Sequence, residues 1–251
     1  MDDQGSLALQ IKKSPLERQA AAVIRERILS GEFMPGHRLV EAWLAEQLGL
    51  SRGTIRAALS ELVHEGLVEQ VAYTRWAVPT LSSKDAWELY TLRSALEGLA
   101  ARLVAQSMTA ATHEKISASF DGIKDAAAHG DRAGLSDCDA ALHKLIIDLS
   151  GHQRLQRQYT VIEQQTRRYI AISNALTVDA GGIVAQHEPI VRALLAGDPD
   201  LAETEAKRHN FEEGALLVEQ LRRGEEVPAK SASPVQWPGP GGEPVSAAEQ
   251  D

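Results

Sequence analysis

Residues 44–68, LAEQLGLSRGTIRAALSELVHEGLV, constrain the fold more than any other stretch of the chain. A short helix from Glu41 to Leu48 meets Gly49-Leu50, which make a tight turn. Ser51 then stands where it can N-cap a helix that runs to about Glu65 and stops at Gly66. Ile55, Leu59 and Leu62, spaced i, i+4 and i+7, bury one face of that helix, and Ala45 is small where the two helices would cross. Arg52 and Arg56 share another face one turn apart, at the helix start. Two short helices joined by a Gly-containing turn, the second capped and basic at its beginning, form the pattern of a helix-turn-helix. An arginine there can bond guanine O6 and N7 with two N–H groups, and the helix N-terminus itself favours phosphate. Exposed arginines are also ordinary helix charges. The coincidence of cap, turn, small residue and following hairpin decides for base or phosphate contact.

The flanking segments extend this unit. A first helix is expected from about Pro15 to Ser30, with Ala20, Val23, Ile24 and Ile28 as its apolar stripe and Gly31 ending it. Pro35-Gly36 supply a turn and a brief extended piece. LVEQVAYTRWAVP alternates as a β-hairpin closed by Pro79, a wing with Tyr73, Thr74 and Arg75 at its tip. After a linker in which Ser82 or Ser83 can cap, the texture changes. From Lys84 to about Arg223 successive helices are separated by HGDRAG, SGHQR, DAGG and AGDPD, the last with Asp198 as N-cap and Pro199 at the first helical position. The predicted organisation is a flexible arm (1–14), a winged helix-turn-helix (15–80), a helical domain (84–223) and a Pro/Gly/Ser-rich disordered tail (224–251). The fold class is mostly α: an N-terminal winged helix-turn-helix followed by an all-helical antiparallel bundle.

A net charge of −9 argues at first against a nucleic-acid partner, but the charge is unevenly spread. Residues 1–80 carry nine Lys/Arg against ten Asp/Glu, whereas the remainder carries seventeen against twenty-five, so a local basic surface fits in the first third. Cys138 is the only cysteine, which excludes a disulfide framework or a cysteine-based zinc site and fits a reducing cytosol. No segment approaches the roughly 20 apolar residues of a membrane span. The chain reads as cytoplasmic, with no membrane partner.

The helical part concentrates a second set of polar residues on apolar faces. Asp139 and His143 are i, i+4 neighbours, and Ile146 continues their face inward. His187 lies among Ile183, Ile190 and Leu194 at helical spacing, and His209 lies on the line of Ala202, Ala206 and Leu216. A carboxylate and imidazoles converging from facing helices can hold a first-row divalent metal, zinc first, nickel or another such ion second. Each histidine alone also has a structural reading as a core side chain with one hydrogen bond. Arg93 sits between Leu89 and Leu96, where it either snorkels to water or clamps an anion inside the bundle. With a divalent ion, Asp139 and neutral histidines, Arg93 brings the cavity to net +2, which favours a small mono- or dicarboxylate.

The segment IRERILSGEFMPGHRLVEAWLAEQLGLSRGTIRAALSELVHEGLVE resembles the winged-helix domain of the GntR family of bacterial regulators. The shared features include Gly31, Pro35-Gly36, Arg38-Leu39, Glu41, Leu48-Gly49, Ser51-Arg52 and Arg56. The resemblance implies recognition-helix contacts from Ser51, Arg52, Thr54 and Arg56 and a phosphate contact from Arg38. The family usually has Gly at the position of Trp76 and a hydroxyl residue at Gly53. DAWELYTLRSALEGLAARLVA, CDAALHKLIIDLSG and AQHEPIVRALLAGDPDLAETEAKRH resemble the FCD effector domain of the FadR-like branch, with His152 where Asn is common. Its metal-binding subtype implies Asp139, His143, His187 and His209 as ligands, and it places an arginine at Arg93.

The function expected is a homodimeric transcriptional regulator. It would bind a double-stranded DNA operator and answer to a small carboxylate effector at a divalent metal. Two alternatives remain at this level, a regulator for which the ion itself is the signal and a metal-dependent enzyme.

Overall fold

The computed structural model describes residues 15–71, 75–177 and 179–226. Helix α1 (Leu16–Leu29), strand β1 (Arg38–Leu39), helices α2 (Glu41–Leu48) and α3 (Arg52–His64), and strands β2 (Glu69–Val71) and β3 (Arg75–Ala77) build the first unit. The turn between α2 and α3 rests on Gly49, which ends α2 in the left-handed region at φ 65°, and on Ser51, whose Oγ accepts from Thr54 N at 3.1 Å. The strands pair antiparallel in the order β1-β3-β2, with Trp76 opposite both Leu39 and Gln70. The hairpin tip, including Tyr73 and Thr74, lies outside the described residues, as do the arm 1–14 and the tail from residue 227. Ile24, Ile28, Ile55, Leu59, Leu62, Leu67, Trp76 and Val78 form a buried core of this unit. The stripe of α1 differs from expectation. Ala20, Ala21, Ile24 and Ile28 are buried, and Val23 flanks them, exposed.

Among the described residues six helices follow: α4 (Ser83–Gln106), α5 (Ala110–His129), α6 (Arg132–Leu149), α7 (Gln153–Leu176), α8 (Ala180–Leu195) and α9 (Pro199–Glu226). Their starts follow the capping logic closely. Ser82, Thr109, Asp131 and Asp198 each accept a hydrogen bond from the backbone N–H three residues on. The break at Ser107–Thr109 carries no Gly or Pro, and the sequence reading passed over it. DAGG is not itself a break, because Asp179 caps α8 and both glycines lie in its first turn. His152, where the family favours Asn, caps α7 with Nδ1 accepting from Leu155 N at 3.1 Å. Helix α9 continues three residues past the expected limit of Arg223. Among the described residues no helix is long and apolar enough to cross a membrane.

Helices α4 and α9 run antiparallel in close contact, as shown by Arg102 bonding Asp200 and Glu97 bonding Asn210. Gly214 permits the approach. A Cβ there would lie 2.7 Å from Tyr90 Cβ. Gly214→Ala is therefore expected to cost about 1–3 kcal/mol through overpacking, read as a lower urea midpoint. An unchanged midpoint would show that α9 shifts freely along α4.

Candidate metal centre and nucleic-acid interface

Helices α4, α6, α7, α8 and α9 aim polar side chains at one buried point. Asp139 and His143 come from α6, His187 from α8 and His209 from α9, and all four are almost fully buried. One ligand atom from each histidine lies within 4.8 Å of the others. Asp139 Oδ1 is 3.2 Å from both His143 Nε2 and His187 Nε2, which are 3.3 Å from each other. The outer nitrogens are already engaged. His187 Nδ1 donates to Ile183 O at 2.8 Å, and His143 Nδ1 faces Glu97 Oε2 at 2.8 Å. With both Nδ1 atoms serving as donors, neutral rings would set the two Nε2 lone pairs against each other, and either a proton on His143 Nε2 or a shared cation relieves that repulsion. Asn174 Nδ2 donates to Asp139 Oδ2 at 2.9 Å, leaving Oδ1 without a hydrogen-bond partner; His209 Nε2 also has none. Three imidazole nitrogens and one carboxylate oxygen converging on one point fit a divalent ion of the zinc type, which would take the place of the His143 proton.

The protonation of these groups follows their surroundings. Burial opposes charge on His143, yet Glu97 and Asp139 overrule it and raise its pKa to about 9. His209 goes the other way: burial and the neighbouring His187 and His143 hold it well below the usual histidine range, as a neutral imidazole. Burial alone would raise Glu97, but Arg93 and His143 hold it far below the ordinary carboxylate value.

Arg93 does not snorkel, because its side chain is 0% exposed. Nε donates to Glu97 Oε1 at 2.9 Å, Nη1 lies 3.8 Å from Glu213 Oε2, and the guanidinium sits 4.6 Å from the Tyr90 ring centroid. Both Nη atoms are buried without a hydrogen-bond partner among the described residues, as are Tyr90 Oη and Glu213 Oε2. Glu97 and Glu213 were missed by the sequence reading, and they correct its charge count. Glu97 cancels Arg93, so a divalent ion with Arg93, Asp139 and Glu97 would sum to +1 rather than +2. Burial pushes the Glu213 carboxyl upward. Both acids were detectable as i, i+4 partners, of Arg93 and His209 respectively. Leu216, expected on the inward line with His209, is exposed, and Asn210, Glu213 and Leu217 occupy the buried face. On α7, Tyr159 reaches the site, donating to Glu97 Oε1 at 3.3 Å. Arg167 and Arg168 turn away, to Asp137 and to Pro79 O.

The first unit gathers Arg38, Arg52, Arg56 and Arg75 around a cleft of about 500 Å³ that also includes Glu41 and Trp76. The side chains of Arg52 and Arg56 are 68% and 63% exposed, as a DNA contact requires. Ser51 and Thr54 bond each other through their hydroxyls at 2.9 Å at the start of α3. Arg56 is not free. It donates from Nε to Glu41 Oε1 at 3.0 Å and from Nη2 to Glu41 Oε2 at 2.9 Å.

Residues 16–78 match the family described as bacterial regulatory proteins, gntR family, and residues 88–211 match the FCD domain. The probable D-xylose utilization operon transcriptional repressor of Paenarthrobacter nicotinovorans is 30% identical over 199 residues, which span 79% of this chain and 87% of the relative. The gluconate operon transcriptional repressor of Bacillus licheniformis is 24% identical, over 85% of this chain and 89% of its own length. Among solved structures, a putative GntR regulator from Rhodococcus sp. RHA1 superposes with a TM-score of 0.70 at 22% identity, covering 82% of this chain and 99% of that one. The E. coli protein McbR/YncC gives 0.69 at 19% identity, over 83% and 99%. Winged helix, helical domain and relatives agree, and the chain belongs to the GntR family as a DNA-binding transcriptional regulator with an FCD domain.

Proposed function

We propose that this regulator binds its operator as a homodimer in the cytoplasm and is controlled by a small carboxylate held at a divalent metal in the helical domain. Asp139, His143, His187 and His209 are the metal ligands, zinc being the first choice for this donor set. Arg93 offers its two Nη atoms to the carboxylate, whose oxygens complete the metal shell. The observation that carries the reading is the convergence of unpartnered buried atoms, Asp139 Oδ1, His209 Nε2 and both Arg93 Nη atoms, on one interior region. Buried polar groups are nearly always satisfied, so a set of them in one place marks a binding site. The relative named for a gluconate operon is consistent with a carboxylate signal.

The test is a thermal-shift screen of small carboxylates with and without chelator, together with metal analysis of the purified protein. A ligand of the folded state raises stability by RT ln(1 + [L]/Kd). Hits that vanish with chelator support the reading; a protein that takes up no ion under any condition overturns it. If chelator alone changes operator affinity, the ion is itself the signal.

In the winged-helix unit, Arg38, Ser51, Arg52, Thr54, Arg56 and Arg75 make the DNA contacts. Arg52→Ala and Arg56→Ala are each expected to lower operator affinity by about 1–3 kcal/mol without loss of helicity, since both side chains face solvent. Binding should weaken steeply with salt through counterion release. Wild-type gel-shift affinity in both variants would remove α3 from the interface.

A further inference from the structure

Arg56, Glu41 and Trp76 form a chain of contacts that the recognition-helix reading does not use. An arginine offers five N–H donors in a plane. Glu41 takes Nε–H and one Nη2–H from the side of the guanidinium, at 3.0 and 2.9 Å. The end of the guanidinium is left open, with one N–H on Nη2 and two on Nη1. That end-on pair matches guanine O6 and N7. The Glu41 carboxylate is itself fixed. Its side chain is only 13% exposed, and Trp76 Nε1 donates to its Oε1 at 2.9 Å. Trp76 is anchored in the core of the winged helix and paired in the sheet with Leu39 and Gln70. Arg52 has no such support: its Nη2 reaches Glu41 only at 3.9 Å.

We propose that Glu41, locked by Trp76, is a positioning residue that presents Arg56 end-on to a guanine in the major groove, making Arg56 the principal base reader. The proposal rests on the reading of Arg56 as a DNA contact. A guanidinium fixed before binding gives up less conformational freedom on docking, and it accepts only a base whose two acceptors meet the open fork. Arg52, held more loosely, suits phosphate contact. Glu41 also places a negative charge beside DNA, which opposes non-specific binding while it sharpens the specific contact.

The experiment starts from operator sequences selected by the wild-type full-length chain from random duplex DNA. Affinities are then measured for that operator, for each single G·C to A·T replacement, and for unrelated duplex, with Arg56→Ala, Glu41→Gln and Trp76→Phe. Wild type is expected to discriminate by roughly 5- to 150-fold at the pair read by Arg56, and Arg56→Ala should abolish that discrimination. Glu41→Gln, which keeps the shape but has a single oxygen to accept, should reduce discrimination there to a few-fold while affinity for unrelated duplex stays level or rises. Trp76→Phe, which keeps the buried ring and removes only the N–H, should act in the same direction more weakly. Adding Glu41→Gln to Arg56→Ala should change discrimination no further. A uniform loss of affinity at every position would make the contacts a structural tie between wing and helix and overturn the proposal, as would wild-type discrimination in Glu41→Gln at the pair that Arg56→Ala abolishes. No effect of Arg56→Ala at any pair would instead overturn the underlying reading of the recognition helix.

Discussion

Arg93→Ala is expected to destabilise the helical domain by about 3–5 kcal/mol, the usual result of removing one partner of a buried ion pair. Arg93 is fully buried and faces Glu97 and Glu213, whose side chains are 3% and 5% exposed. Without the guanidinium, Glu97 keeps His143, Asn210 and Tyr159 as hydrogen-bond donors but loses its permanent neighbouring cation. A domain's whole stability is only about 5–15 kcal/mol, so the loss should appear as a fall in melting temperature of roughly 6–20 °C. The alanine variant therefore cannot separate effector binding from folding. Arg93→Lys can, because it keeps a cation near both acids and loses the planar fork. It should retain the metal and most of the stability while effector affinity drops at least about 10-fold by calorimetry, one bidentate contact being lost. Arg93→Ala with a wild-type denaturation midpoint would show that the ion pairs stabilise nothing and that Arg93 serves the ligand alone.

How much of this could be read in the chain depends on which forces set each feature. The winged helix was legible because its boundaries are local chemistry. Gly49 takes a left-handed conformation, Ser51 caps, and Ile55, Leu59 and Leu62 repeat at helical spacing. The break at Ser107–Thr109 was not legible, since a threonine cap without Gly or Pro resembles helix interior. In α9 hydrophobic periodicity itself misled. The inward face runs His209, Asn210, Glu213, Leu217, so polar site residues occupy positions that a core would fill with leucine, and Leu216 on the outside mimics the missing apolar residue. A functional site inverts the pattern on which sequence reading depends.

The same reason explains what was found and missed around the candidate metal centre. Asp139, His143 and His187 stood out because apolar residues flank them on the same faces. Glu97 and Glu213 did not, because a helical glutamate is ordinarily a surface residue. Only the tertiary arrangement of α4 against α9 turns both inward. The Glu41–Trp76 contact was equally hidden, since it joins residues 35 apart in the chain through a hairpin.

Removing the metal is expected to have an effect whose size depends on pH. In the metal-free protein one proton holds the centre together: His143 faces Glu97 Oε2 through Nδ1 and Asp139 Oδ1 through Nε2. Burial opposes that proton, but the two acids raise the His143 pKa from 6.5 to about 9. A raised folded-state value stabilises the fold fully below the unfolded pKa, and the contribution is lost as pH climbs through the folded one. The metal-free protein should therefore lose stability, on the order of 3 kcal/mol, between pH 6.5 and 9. Metal binding runs opposite, because the ion must displace the proton from Nε2, so affinity rises over the same window. The difference in melting temperature between metal-loaded and chelated protein should thus widen from pH 6.5 to 9. His187→Ala should shrink that difference at every pH, with metal affinity reduced by more than the roughly 10–100-fold typical of losing a mere partner of a ligand. A gap that stays constant or narrows with rising pH would mean that His143 does not give up a proton to the ion, and the four-residue ligand set would have to be redrawn without it.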